Sequence, residues 1–208
     1  MTNLYGGFME KYDTLIYYNE NAKKYCEQTR NGDMREAYNR FMVLLPDKAY
    51  ILDFGCGSGR DSKYFLEKGY TVRAIDGSEK LCELASEYIG QKVECMKFDE
   101  LSEESKYDGI WACSSILHVE RENLPDILRK MINALKEDGV IYTCFKIGNQ
   151  EIVQDGKYYN YITKEILEDI LRQVDPNSEV VDYYENGTCK NVDRPTATWG
   201  NYLIKKKK

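Results

Sequence analysis

Ile51-Leu52-Asp53-Phe54-Gly55-Cys56-Gly57-Ser58-Gly59-Arg60 sets an apolar run and an acid directly before three glycines at alternate positions. Ile51, Leu52 and Phe54 read as the end of a buried strand, and the glycines follow without a gap, so the chain must turn sharply there. Glycine tolerates positive φ and has no side chain to hold a ligand away from the backbone. The turn feeds a helix opened by Arg60, and the free N–H groups of a helix start favour a negatively charged group. This combination predicts a nucleotide-type site.

The spacing narrows the nucleotide. A dinucleotide fingerprint G-x-G-x-x-G wants its third glycine at position 60, where Arg60 stands. A second run, Tyr70-Thr71-Val72-Arg73-Ala74-Ile75, ends in Asp76, which lies 21 positions after Gly55. An acid about 20 residues on is where a ribose hydroxyl pair is held. The order of strand, Asp53, Gly55-x-Gly57-x-Gly59, second strand and Asp76 resembles class I S-adenosylmethionine (SAM) methyltransferases, similar to the small tellurite-resistance and thiol-type members.

The resemblance implies an α/β fold: a doubly wound, mostly parallel, seven-stranded Rossmann-like sheet. It also implies residues 1–45 as an N-terminal helical lid on a methyltransferase domain of residues 46–208, the whole being a single structural domain. SAM is the implied cofactor and S-adenosylhomocysteine the product. The implied cofactor contacts are Tyr25, Asp53, Gly55, Cys56, Gly57, Arg60, Asp76, Gly77, Ser78, Phe98, Asp99 and Cys113. Among these, Asp76 takes the ribose, while Phe98 and Asp99 flank adenine and accept from its amine. Tyr25 meets the cofactor's carboxylate or packs as an ordinary helix tyrosine, and Arg60 pairs with an anionic part of the ligand or forms a surface salt bridge.

Outward from the glycines the chain alternates. Helical character runs over Glu20 to Thr29 and Asp33 to Leu45, with Gly32 as the break. A helix from Asp61 to Lys68 stops at Gly69, and another from Glu79 to Ile89 has Ser78 as N-cap and Gly90 as stop. Lys92 to Phe98 reads as a third strand closed by Asp99, and Tyr107 to Cys113 as a fourth. Asn123 and Pro125 start a helix ended by Gly139, Val140 to Phe145 is a fifth strand, and 148–161 is a polar insertion. Thr163 caps a last helix, and strands at Glu179 to Tyr184 and Thr198 to Ile204 close the sheet.

Composition bounds the partners. With 208 residues, 42% hydrophobic and 31% charged, one soluble domain is expected. A net charge of −6 disfavours nucleic acid, which asks for a basic face. Lys205 to Lys208 is the one basic run and reads as a solvated tail. The seven cysteines show no C-x-x-C spacing, so no metal is expected and reduced thiols suit the cytoplasm. No apolar run approaches the roughly 20 residues of a membrane span.

The loop Ser114-Ser115-Ile116-Leu117-His118 follows strand four and should face the transferred methyl. It lacks the Pro-Pro-aromatic of enzymes acting on base amines, and no proline in the chain is followed by cysteine, as cytosine-C5 chemistry requires. His118, the single histidine, is the catalytic candidate: a general base, or a side chain that closes the loop or shapes the pocket. Tyr5, Tyr17, Tyr18, Tyr158, Tyr159, Tyr161, Trp199 and Arg194 lie in segments that should cover the mouth. The expected activity is methyl transfer to a small-molecule acceptor; a tRNA or protein acceptor, or a SAM-binding regulatory subunit without turnover, stands as the alternative.

Overall fold

Short apolar strands separated by amphipathic helices pair most readily in parallel, each crossover helix packing back on a face of the sheet. The computed structural model, which describes residues 13–187 and 197–207, has this arrangement. In chain order its elements are α1 (Thr14–Thr29), α2 (Arg35–Met42), β1 (Tyr50–Phe54), α3 (Arg60–Glu67), β2 (Thr71–Asp76), α4 (Glu79–Ile89), β3 (Glu94–Cys95) and β4 (Tyr107–Ala112). There follow α5 (Leu124–Ala134), β5 (Leu135–Lys146), β6 (Glu151–Gln154), β7 (Lys157–Asn160), α6 (Lys164–Val174), β8 (Ser178–Asn186) and β9 (Trp199–Lys206). Seven strands form one sheet in the order β3-β2-β1-β4-β5-β9-β8, parallel as far as β5 and antiparallel at β9.

Register divides the core into two layers. Ile51, Val72, Trp111, Tyr142 and Leu203 share one face and meet Tyr38 and Phe41 of α2 and Phe65 of α3. Leu52, Ile75, Ile110, Ile141 and Ile204 share the other and meet Leu128 and Met131 of α5 and Leu167 and Leu171 of α6. Residues 13–45 therefore do two jobs: α1 crosses the C-terminal edge of the sheet, whereas α2 is part of the core, Phe41 being fully buried.

Several boundaries differ from expectation for local reasons. Asp13 accepts from Leu15 N and Ile16 N, so α1 begins at Thr14 and not at Glu20. In the expected third strand only Glu94 and Cys95 pair, because the Glu100 carboxylate takes Lys97 N and winds Phe98–Glu100 into a 3-10 turn. Helix α5 stops at Ala134 rather than Gly139, where Ser105 N and Lys106 N take the carbonyls of Asn133 and Ala134. The basic run is no loose tail through Lys207: Lys205 and Lys206 lie in β9, and Lys206 Nζ donates to Ile132 O and Leu135 O at 2.9 Å, where cations are favoured at a helix C-terminus. Within the polar insertion, Asp155 (φ 52) and Gly156 (φ 74) turn β6 back on β7 as a two-residue hairpin.

Candidate active site

A cavity of about 610 Å³ opens at the C-terminal edge of β1, β2 and β4, the edge where open α/β sheets bind ligands. Gly55, Gly57, Asp76 and Gly77 form its floor, Phe98 and Asp99 one end, and Thr14, Leu15, Tyr18 and Tyr25 of α1 its roof. Ser114, Ser115 and His118 follow β4 into it, with Ile127 and Lys130 of α5 beyond.

The glycines are required by contact as well as by turn geometry. At Gly55 (φ 85) an added Cβ would lie 2.6 Å from Ser115 Cβ, and at Gly57 (φ 54) it would lie 3.0 Å from Tyr25 Oη. The chain therefore keeps bare backbone between α1 and the loop after β4. Gly57 N and Ser78 N each donate to the Asp76 carboxylate at 2.9 Å, one to each oxygen. Burial raises the Asp76 pKa, and these backbone donors oppose the rise. Each carboxylate oxygen keeps lone pairs for further donors. Ser115 Oγ is buried with no hydrogen-bond partner among the described residues.

Tyr25, Gly55, Gly57, Asp76, Gly77, Phe98, Asp99 and His118 thus come together on one cavity. Five other expected contacts stand off from it. Asp53 is buried and accepts from Ser62 Oγ, burial and the neighbouring Asp61 charge raising its pKa. Cys56 turns into a small cluster with Ala74, Cys82 and Ala85. Ser78 is the N-cap of α4, accepting from Leu81 N and donating to Asn19 Oδ1. Arg60 is committed to its neighbour: Nε and Nη2 donate to Asp61 at 2.6 and 2.9 Å. Arg60 and Cys113 instead line a smaller cavity that shares Tyr25, Gly55 and Ser114 with the large one and continues to Tyr142, Trp199 and Asn201.

Asp61 gave no signal in the sequence because its partners are distant in the chain. Tyr38 Oη and Trp111 Nε1 also donate to it, so four donors surround one buried carboxylate. Burial works against its charge, yet the Arg60 guanidinium and these hydrogen bonds hold its pKa below the usual carboxylate value.

His118 is held at both ring nitrogens. Nδ1 lies 2.6 Å from the Tyr158 carbonyl on β7, and Nε2 lies 2.9 Å from Tyr18 Oη. A carbonyl only accepts, so Nδ1 carries a proton, and in the neutral imidazole Nε2 is then the atom that accepts from the Tyr18 hydroxyl. The Tyr18 ring meets Tyr25 edge-on at 5.1 Å, and Tyr159 lies 5.0 Å from the imidazole. Arg121 pins the hairpin that supplies the carbonyl, donating to Asn160 Oδ1, Tyr161 O and Asn149 Oδ1. Of the expected mouth residues, Tyr5 and Arg194 lie outside the described residues. Helix α5, which packs into the core, also lends Ile127 to the cavity. No helix among the described residues is long and apolar enough to cross a membrane.

Comparison with known proteins finds similarity to methyltransferases. Residues 51–139 match the model of a methyltransferase domain family. An uncharacterized methyltransferase of Staphylococcus carnosus is 26% identical over 175 residues, covering 73% of this chain and 84% of that protein. An N-terminal Xaa-Pro-Lys N-methyltransferase of Xenopus laevis is 30% identical over 127 residues, 57% of this chain and 55% of its own length. By structure, the chain is similar to the Burkholderia thailandensis 1,6-didemethyltoxoflavin-N1-methyltransferase, crystallised with 1,6-didemethyltoxoflavin and S-adenosylhomocysteine. The TM-score is 0.73 at 21% identity, over 93% of this chain and 85% of that one.

Proposed function

On the footing that this chain is a class I SAM-dependent methyltransferase, we propose that it transfers the methyl group to a small molecule held beneath α1 and the β6–β7 hairpin. The residues of the cavity fit the donor. Asp76 offers lone pairs for ribose hydroxyls, and the backbone of Gly55 and Gly57, which a Cβ would obstruct, leaves room for the methionine end beneath Tyr25. Phe98 and Asp99, at one end of the cavity, would hold adenine, and Gly77 would leave room for the ribose. Ser115 Oγ, otherwise unpaired, is a buried polar group for the same ligand. Bound there, SAM supplies a methyl already activated on a sulfonium.

The side chains that remain need to orient the acceptor, exclude water and, for a proton-bearing acceptor, take a proton. Asp53, Cys56, Arg60, Ser78 and Cys113 act behind the cavity wall, holding the glycine turn and the start of α4. The free thiols of the six described cysteines support a reducing, cytoplasmic setting.

The observation that carries the small-molecule reading is the cover on the cavity. α1, the loop after β4 and the hairpin are tied together beside it through Tyr158 N to Thr14 Oγ1 and Tyr18 to His118, so a half-open cavity of about 610 Å³ is roofed by the chain's own elements. The acidic surface supports the same reading against a polyanionic acceptor. Incubation of the protein with tritium-methyl SAM and a bacterial lysate, followed by ultrafiltration, tests it. Label is expected in a low-mass filtrate compound that separates chromatographically from SAM and is missing when the protein is left out; new label confined to retained protein or RNA would contradict the proposal.

A further inference from the structure

Trp111 of β4 lies opposite Tyr142 of β5 with the two rings stacked at 4.0 Å, and Ala112 lies opposite Thr143. The next step along both strands sets Cys113 beside Cys144. Side chains two positions apart share a face of a sheet, so both thiols stand on the side of the stacked rings and pack in the same cluster. Neighbouring strands lie about 4.8 Å apart, inside the roughly 4.4–6.8 Å between Cα atoms that a disulfide spans. The two sulfurs are already in hydrogen-bond contact. Both also line the smaller cavity, of about 80 Å³, where one water needs about 10–15 Å³ by the same measure. A molecule of the size of hydrogen peroxide fits there.

Cys144 also shapes the loop after β4. Ser114 N donates to its sulfur at 3.2 Å, and Ser114 Oγ lies 3.3 Å from it. Ser114 has φ 53, a left-handed backbone that a serine rarely adopts. Ser114 borders both cavities, and the following residue, Ser115, faces Gly55 across the larger one. One sulfur therefore anchors a strained residue at the edge of the donor site. The hydrogen bond from Cys113 holds the Cys144 thiol below its usual pKa against burial, with Ser114 and Tyr142 assisting. The same bond and burial push Cys113 up.

We infer that Cys113 and Cys144 form a modification site for hydroperoxides, a dithiol whose oxidation to a disulfide releases Ser114 and weakens the hold of the adjoining cavity on its donor. The effect on the donor rests on the assignment made above, whereas the disulfide does not. The Cys144 thiolate attacks one oxygen of the hydroperoxide. A sulfur–oxygen bond forms, the oxygen–oxygen bond breaks, and the departing oxyanion takes up the proton that the thiol gave up. The Cys113 sulfur then attacks the Cys144 sulfenic acid, so that the sulfur–sulfur bond forms, the sulfur–oxygen bond breaks, and hydroxide leaves with the Cys113 proton as water. The two thiols lose two electrons and the hydroperoxide gains them. Bonding draws Cys144 Sγ toward Cys113 and away from Ser114 N and Oγ, which removes what keeps Ser114 in its left-handed conformation. A dithiol reverses the step by exchange, as suits a reducing compartment.

The full chain is treated with hydrogen peroxide, its remaining thiols are blocked with iodoacetamide, and it is digested with trypsin, which places Cys113 in 107–121 and Cys144 in 137–146. These two peptides are expected as one cross-linked species that dithiothreitol separates. Recovery of both as singly alkylated peptides, while the exposed Cys95 is oxidised, would overturn the pairing. Calorimetry with S-adenosylhomocysteine then reads the consequence. The oxidised wild type is expected to bind about tenfold or more weakly than the reduced protein, and dithiothreitol to restore the affinity. Cys95→Ser is expected to keep this response, and Cys113→Ser to lose its dithiothreitol-reversible part. A disulfide form that binds as tightly as the reduced form, or a reversible response that persists in Cys113→Ser, would overturn the control of the site. Failure of the reduced wild type to bind S-adenosylhomocysteine would instead strike the donor assignment, while the peptide map still reports on the dithiol.

Discussion

At the scale of single residues, the site depends on acids with contrasting surroundings. Asp76 is exposed to the cavity on one side and fed by two backbone N–H groups on the other. Asp61 is saturated by Arg60, Tyr38 and Trp111 and holds the helix start behind the glycines. Removing one partner of a buried ion pair leaves the other uncompensated. Asp61→Asn is therefore expected to cost about 3–5 kcal/mol of stability, read by urea unfolding; a change below about 1 kcal/mol would show that the cluster relaxes without its charge. The glycine turn and Asp76 were legible in the sequence because both lie beside an apolar strand, within the short range over which pattern carries information. The Arg60–Asp61 contact is adjacent in sequence, yet its consequence was not legible, since Tyr38 and Trp111 come from 23 and 50 residues away to complete it.

At the scale of elements, the β6–β7 hairpin is the part that pattern described least well. Asp155-Gly156 is a hairpin turn signal, and the aromatic pair after it fits a strand. The polar residues around it masked the alternation. What gives the hairpin its place is Arg121, whose guanidinium reaches three acceptors on the segment. Hydrogen bonds from a charged donor contribute about 1.5–3 kcal/mol each in favourable cases. Arg121→Ala is accordingly expected to raise amide hydrogen exchange across 151–161 by about tenfold or more, with the amides of β1, β4 and β5 unchanged. Equal exchange in both proteins would mean the hairpin is held from elsewhere. The same loss should loosen the Tyr158 carbonyl from His118, which links this element to the cavity.

At the scale of the molecule, the strand order explains why these residues meet. β1 and β4 lie side by side with β2 on the far edge of β1, so the turns after all three open on one edge. α1 then crosses that edge, and α2 returns to the core, so residues 13–45 divide between the roof of the cavity and the core. The alternation of strands and helices made this order readable, whereas the cavity's roof depends on side chains that meet only once the sheet is formed. The central claim is that Asp76 and the bare glycine turn hold the donor. Calorimetric titration of S-adenosylhomocysteine into the wild type and into Asp76→Ala tests it most directly. The account predicts binding to the wild type at about micromolar affinity and at least tenfold weaker binding to the variant, on the order of 1.4 kcal/mol or more. Equal affinity in the two folded proteins, or no binding by the folded wild type, would contradict it.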